Sequence, residues 1–160
     1  MKALKGILAT SLLAAMTAIS AAPARASDEH KLLTAQDIKW APAPPSISAG
    51  AQVAVLYGNP GKKGMFAMRL KVPKGYRIAP HTHPEPEIVT VISGTARLGM
   101  GETADPAKAK VLPAGSFFAM SPGMPHHFSA DEETVIQLNS TGPWSLTYVN
   151  PNDDPRRKTQ

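Results

Sequence analysis

Four of the five histidines in this 160-residue chain fall in two short stretches, and their spacing is that of a metal site. The first stretch holds His81, His83 and Glu87. On an extended strand, side chains two apart point the same way, so His81 and His83 present two imidazoles to one side. Glu87 has the same parity, and a bend near Pro84 or Pro86 would fold its carboxylate back beside the two rings. The second stretch holds His126 and His127. Neighbouring strand residues face opposite ways, so only one of this pair points at a common site; His126 is assigned to it and His127 to the outside. Three imidazole nitrogens and a carboxylate suit one divalent transition metal, with manganese, iron, nickel and zinc all acceptable and the affinity order favouring the later ions unless supply decides. Four such donors leave one or two positions open for water, dioxygen or substrate.

The elements that must position these residues read as short strands. Segments rich in β-formers run over Gln52–Tyr57, Met65–Val72, Glu87–Ser93, Ala96–Met100, Lys110–Leu112, Ser116–Met120, His126–Ser129, Thr134–Leu138 and Ser145–Val149. Gly, Pro, Asn and Ser separate them, as in Gly58-Asn59-Pro60-Gly61 and Pro113-Ala114-Gly115, and this rhythm predicts an all-β fold. In Met65–Val72 the alternation sends Phe66, Met68, Leu70 and Val72 to a core and Ala67, Arg69 and Lys71 to water. Ahead of the strands, residues 27–50 form a polar lead-in with one short helix expected over Thr34–Lys39, where Thr34 caps and Asp37 follows at the right distance. Residues 151–160 contain two prolines and no large apolar residue and read as a disordered tail.

Residues 1–26 have a separate character. Lys2 and Lys5 precede an uncharged stretch from Gly6 to Ser20, and Ala24-Arg25-Ala26 supplies the small residues at which a signal peptidase cuts. The apolar run is shorter than the roughly 20 residues that span a bilayer. The expectation is therefore a cleavable signal peptide, cut after Ala26, no stable membrane anchor after cleavage, and a periplasmic or secreted protein. The formal net charge of +5 falls by three once Lys2, Lys5 and Arg25 are gone, leaving too weak a field for nucleic acid to be the expected partner. The chain has no cysteine, which excludes disulfides, thiolate nucleophiles and iron-sulfur clusters.

The two stretches resemble the two conserved motifs of the cupin superfamily. The first reads Gly75-x5-His81-x-His83-x3-Glu87-x6-Gly94 and matches that family's pattern at every fixed position, a coincidence on the order of 10⁻⁷ per starting position at ordinary residue frequencies. The second reads Gly115-x5-Ser121-x-Gly123-x2-His126, with Ser121 where proline is usual and Ala130 where asparagine is usual. These departures touch turn shape and a strand end, not a ligand. The motifs cover residues 75–130, and the strand rhythm extends the likeness over roughly 52–150. The resemblance implies a jelly-roll (double-stranded β-helix) barrel over residues 51–150, a divalent metal held by His81, His83, Glu87 and His126, and a homodimer formed through a sheet edge or outer face.

Beside the ligands, Met68, Arg77 and Phe128 are candidates for a substrate pocket, Arg77 sharing parity with His81 and Phe128 with His126. Arg77 on this reading meets an anionic substrate or lies at the rim. The methionines read as core filler and not as soft copper ligands; Trp40, Trp144, Phe117 and Phe118 likewise read as core, and His30 as exposed. No dedicated proton shuttle is evident, so no catalytic residue is assigned. Three activities stay open: an oxidoreductase of dioxygenase or oxidase type acting on a small organic substrate, a non-catalytic module that binds or senses a small ligand, and a metal-assisted isomerase.

Overall fold

The computed structural model describes residues 30–157. The signal peptide expected over residues 1–26 lies outside the described residues. Contacts divide the chain into Met1–His30 and Lys31–Gln160. The second unit is built from the strands β1 (Ala41–Pro42), β2 (Gln52–Tyr57), β3 (Gly64–Val72), β4 (Arg77–Thr82), β5 (Glu87–Ser93), β6 (Thr95–Met100), β7 (Lys110–Pro113), β8 (Phe117–Met120), β9 (His126–Ala130), β10 (Thr134–Gly142) and β11 (Thr147–Tyr148).

They form two antiparallel sheets, one ordered β1-β2-β3-β10-β5-β8 and the other β11-β4-β9-β6-β7. The buried residues of both sheets make one core. β3 shows why: Phe66, Met68, Leu70 and Val72 are all buried as their alternation predicts, each contributing about 1.5–3 kcal/mol by leaving water. On the outer face Arg69 donates to the Gln137 side chain on β10 at 3.2 Å, directly across the ladder. The chain passes from one sheet to the other between β5 and β6, and Gly94 makes the turn at a φ of 76°. A Cβ there would run into the backbone of Glu133 and Thr134, so only glycine fits.

Two expectations are corrected. The strands do not close into a barrel: both sheets are open, with β1 and β8 at the edges of one and β11 and β7 at the edges of the other. Two of these edges carry a proline, Pro42 in β1 and Pro113 in β7, which has no N–H with which to extend a ladder. The architecture is therefore a two-sheet sandwich and not a jelly-roll barrel. Nor is there an N-terminal helix. The Thr34–Lys39 segment holds a single 3₁₀ turn at Ala35–Asp37, where the Asp37 carboxylate accepts from the Thr34 amide at 2.8 Å and its hydroxyl at 2.7 Å. The cap is present, but the prolines from Pro42 onward stop the chain before a stable helical nucleus can form.

The rest of the lead-in is tied to the core. The Tyr148 hydroxyl donates to the Ser46 carbonyl at 2.9 Å, and the Tyr76 hydroxyl donates to the Ser48 carbonyl. Between those anchors Ile47 is buried. At the other end, 3₁₀ turns at Pro151–Asp153 and Pro155–Arg157 occupy the start of the tail for which disorder is expected. Arg156 pairs there with Asp154 at 2.6 Å. Among the described residues, no helix is long and apolar enough to cross a membrane.

Candidate metal centre

β4 and β9 pair so that His81 lies directly opposite His126, and cross-strand partners share a face. Their rings are 4.3 Å apart between centroids. His83 lies one residue past the end of β4, 4.9 Å from the His81 ring and 5.3 Å from the His126 ring. All three are buried, and one nitrogen from each falls within 4.8 Å of the others. Glu87 begins β5 in the opposite sheet, and its carboxylate reaches across to within 3.5 Å of His83 Nε2 and 3.2 Å of His126 Nε2. The bend through Pro84–Pro86 that returns Glu87 to the histidines is pinned on both sides: the Ser140 hydroxyl donates to the Pro86 carbonyl at 2.6 Å, and the Gly123 amide donates to the His83 carbonyl at 2.8 Å.

The other ring nitrogens decide what this cluster can do. Nδ1 of His81 sits 2.8 Å from the Ala79 carbonyl, Nδ1 of His83 2.8 Å from the Ser145 carbonyl, and Nδ1 of His126 3.0 Å from the Met124 carbonyl. A carbonyl only accepts, so each Nδ1 carries a proton; at His81 and His83 this leaves Nε2 as a lone pair, while His126 Nε2 faces the Glu87 carboxylate at 3.2 Å. That is the tautomer a metal-binding histidine needs. His83 Nε2 is buried with no hydrogen-bond partner, and an orphan of that kind is costly unless something binds it. The donor set therefore fits a divalent cation.

Electrostatics point the same way. Burial, and then the imidazoles of His126 and His83, push His81 down to about 3. Burial also lowers His83, against the pull of Glu87 and the Ser145 carbonyl. Burial lowers His126 too, but there the hydrogen bond and charge of Glu87, helped by the Met124 carbonyl, prevail and raise it. Two neutral imidazoles and a carboxylate-bound third are ready for a cation without first shedding several protons.

The space beside these atoms is a cavity of about 30 Å³, enough for one or two water-sized bodies. Apart from the four donors its walls are apolar, formed by Met68, Leu138, Phe128, Leu146 and Ile47 among others, together with Trp144. Met68 and Phe128 thus line the cavity beside the candidate ligands. Arg77 does not; it is exposed and lines a cleft on the outside of the sheet. The cause is a β-bulge between Ile78 and His81, where the β4–β9 register shifts. One extra residue reverses the parity, so Ile78 and His81 both face inward and Arg77 turns out. His127 faces outward as expected, over Gly99 on β6, and its Nε2 accepts from the Asp105 amide at 3.3 Å.

Two residues of the site carry no signal in the sequence. Trp144 stacks on His83 with ring centroids 4.6 Å apart and planes 17° from parallel, and its Nε1 is buried without a hydrogen-bond partner. It lies 61 positions from His83, with no periodicity connecting them. Ile47 enters from the lead-in, where no strand pattern predicts a contact with the core. A buried tryptophan with its N–H unmatched is unusual, and only the folded structure reveals it.

Several solved structures, one of them described as an RmlC-like cupin, superpose on this two-sheet architecture. A polyketide cyclase, RemF from Streptomyces resistomycificus, superposes with a TM-score of 0.66 at 18% identity, over 82% of this chain and 94% of that one. An RmlC-like cupin from Shewanella frigidimarina gives 0.55 at 17% identity, over 71% and 91%. A salicylate 1,2-dioxygenase from Pseudoaminobacter salicylatoxidans gives 0.52 at 15% identity, over 65% of this chain and 30% of that one. At these identities the likeness is one of fold. Residues 15–147 match the model of the family described as Domain of unknown function (DUF4437), and the chain belongs to that family. Comparison with the curated proteins finds no match.

Proposed function

We propose that this protein is an exported, metal-dependent oxidoreductase of dioxygenase or oxidase type that acts on a small oxygen-bearing organic molecule. The observation that carries the reading is the set of three imidazoles, each with Nδ1 turned to a backbone carbonyl, gathered with Glu87 in an otherwise apolar cavity. His81, His83, His126 and Glu87 would hold the ion, which supplies redox and Lewis-acid chemistry when bound. The carbonyls of Ala79, Ser145 and Met124 keep the rings oriented. The apolar walls exclude water from the reacting atoms, and Trp144, whose Nε1 has no hydrogen-bond partner, would offer that N–H to a substrate oxygen. The shared fold with a polyketide cyclase and with a salicylate dioxygenase does not choose the chemistry; the apolar walls support the reading. A sugar or sugar acid carries a hydroxyl on nearly every carbon, and each needs a partner when buried. Among the described residues, the one polar side chain that lines this cavity besides the ligand set is Trp144, which disfavours sugar isomerisation.

A second reading, a module that binds or senses a small ligand, is supported by one observation: among the described residues no acid or base lines the cavity beyond the four donors. Oxygen uptake separates the two. Protein loaded in turn with manganese, iron, nickel and zinc is offered a panel of phenols and keto acids, beside protein stripped with a chelator and the variants His81→Ala and His126→Ala. Uptake confined to loaded, unsubstituted protein supports the oxidoreductase. Full turnover in stripped protein overturns it, and saturable binding without uptake supports the sensing module. Elemental analysis of protein from its native compartment identifies the ion, and the same preparation tests cleavage after Ala26.

A further inference from the structure

The outward turn of Arg77 builds a second site. Arg77 on β4 and Arg97 on β6 lie directly opposite Ser129 on β9 from either side. Partners across a ladder share a face, so a row of guanidinium, hydroxyl and guanidinium crosses the outside of the five-stranded sheet. Arg97 is fixed from behind: its Nε donates to both Asp131 oxygens at 2.7 and 2.8 Å, which leaves both terminal amino groups free for another acceptor. The side chains of Arg77 and Lys74 make no ion pair or hydrogen bond among the described residues. All three cations line one cleft of about 600 Å³, within the range of ordinary small-molecule sites and far larger than the interior cavity. Two acids line it as well, Asp131, which is taken up by Arg97, and Asp153.

The remaining walls, apart from Ser48, His127 and Tyr148, are apolar, and the cleft is held in shape. Ala79 and Pro80 come from β4, and Ala104 and Pro106 from the loop between β6 and β7. That loop is fastened to the sheet by the Asp105 amide on His127 Nε2. His127 can lie there because Gly99 has no Cβ; a methyl at that position would collide with the ring.

We infer that this outer cleft is a binding site for a small organic oxyanion, a carboxylate or phosphate ester on a flat apolar body, with the charged end between Arg77 and Arg97 over Ser129 and the body against Ala79, Pro80, Ala104 and Pro106. Guanidinium groups pair with either oxyanion in a two-pronged fashion, and a fixed pair of them selects charge and geometry together. The occupant is a small molecule because the cleft holds about 600 Å³ and the 101–109 loop, through Ala104 and Pro106, supplies one of its walls. The site stands independently of any metal in the interior.

The test uses the full chain with phenyl phosphate, benzoate and neutral benzamide as probes, followed by calorimetry and by amide chemical shifts. One or both anions should bind saturably at one site, at least tenfold more tightly than benzamide and more weakly in high salt. The shifts should centre on Arg77, Arg97, His127 and Ser129, and the stronger anion identifies which oxyanion the site prefers. Arg77→Gln, at an exposed position, should weaken that anion at least tenfold with an unchanged melting temperature. Equal binding of benzamide, shifts confined to Met68 and Leu138 of the interior, undiminished binding by Arg77→Gln, or no saturable binding of either anion would each overturn the proposal.

Discussion

Replacing His83 by phenylalanine separates what the cluster does for stability from what it does for metal. The substitution keeps a flat ring against Trp144, now stacked at 4.6 Å. It removes Nε2, which is buried without a hydrogen-bond partner, and relieving such a group is worth about 1–3 kcal/mol. It also removes the bond from Nδ1 to the Ser145 carbonyl, a loss of about 0.5–1.5 kcal/mol. Ser145 is an exposed residue, so its carbonyl can turn to water. The larger ring enters a cavity with about 30 Å³ to spare. The metal-free variant should therefore be as stable as the wild type or up to about 2 kcal/mol more stable.

With metal the order reverses. An ion at 100 times its dissociation constant adds about 2.7 kcal/mol to a protein that binds it only when folded. At about 2.1 cal/mol/K per residue over the roughly 130 residues of Lys31–Gln160, each kcal/mol moves the melting temperature by about 3–4 °C. The wild type should gain about 10 °C from saturating metal, and His83→Phe almost none. Thermal melts of both proteins, in chelator and across a series of divalent ions, give all four numbers. A variant that melts far below the wild type in chelator, or that keeps the full metal-induced gain, refutes the argument that His83 sits there for a ligand and at a cost to the fold.

Glu87→Gln keeps the shape of the side chain 3.2 Å from His126 Nε2 and removes its charge. Metal affinity should fall by more than the roughly 10–100-fold that disturbing a ligand's neighbour costs, and an NMR titration of the metal-free variant should find the His126 pKa lowered, since the carboxylate that raises it is gone; an unmoved titration counts against the pairing. Between pH 6.5 and about 5 the metal-free protein should lose stability as pH falls, because the unfolded chain takes up protons at His81 and His83 that burial denies the folded one; His126, raised, acts above pH 6.5, where its contribution is lost as pH rises. Each net proton sets a slope of about 1.4 kcal/mol per pH unit, and a flat or rising melting temperature over that window would refute the claim that burial holds His81 and His83 neutral. Gly99→Ala puts a methyl into the His127 ring and should destabilise by about 1–3 kcal/mol, with faster hydrogen exchange over residues 102–108 and unchanged metal uptake.

The histidine cluster is legible before any fold is known because its geometry is local. His81 and His83 are two apart, Glu87 returns through a bend announced by two prolines, and the alternation of a regular strand lets only one of His126 and His127 join them. Arg77 is four residues from His81, and the same rule places it inside. The rule fails there because alternation holds only while the ladder is regular, and β4 takes its extra residue between Ile78 and His81. Pro80 stands in that interval, and a proline inside a strand, unable to donate to the ladder, is the one mark by which a break in parity could be suspected. Closure of the sheets is misjudged from sequence for a related reason. A strand rhythm counts strands but says nothing of whether the outermost ones meet, which depends on edge residues such as Pro42 and Pro113. Trp144 and Ile47 reach the site through contacts between segments far apart in the chain, and no period encodes those. The bulge that hides Arg77 also gives β4 its two functions: the residues after it turn imidazoles toward the interior, and the residue before it turns a guanidinium toward the outer cleft.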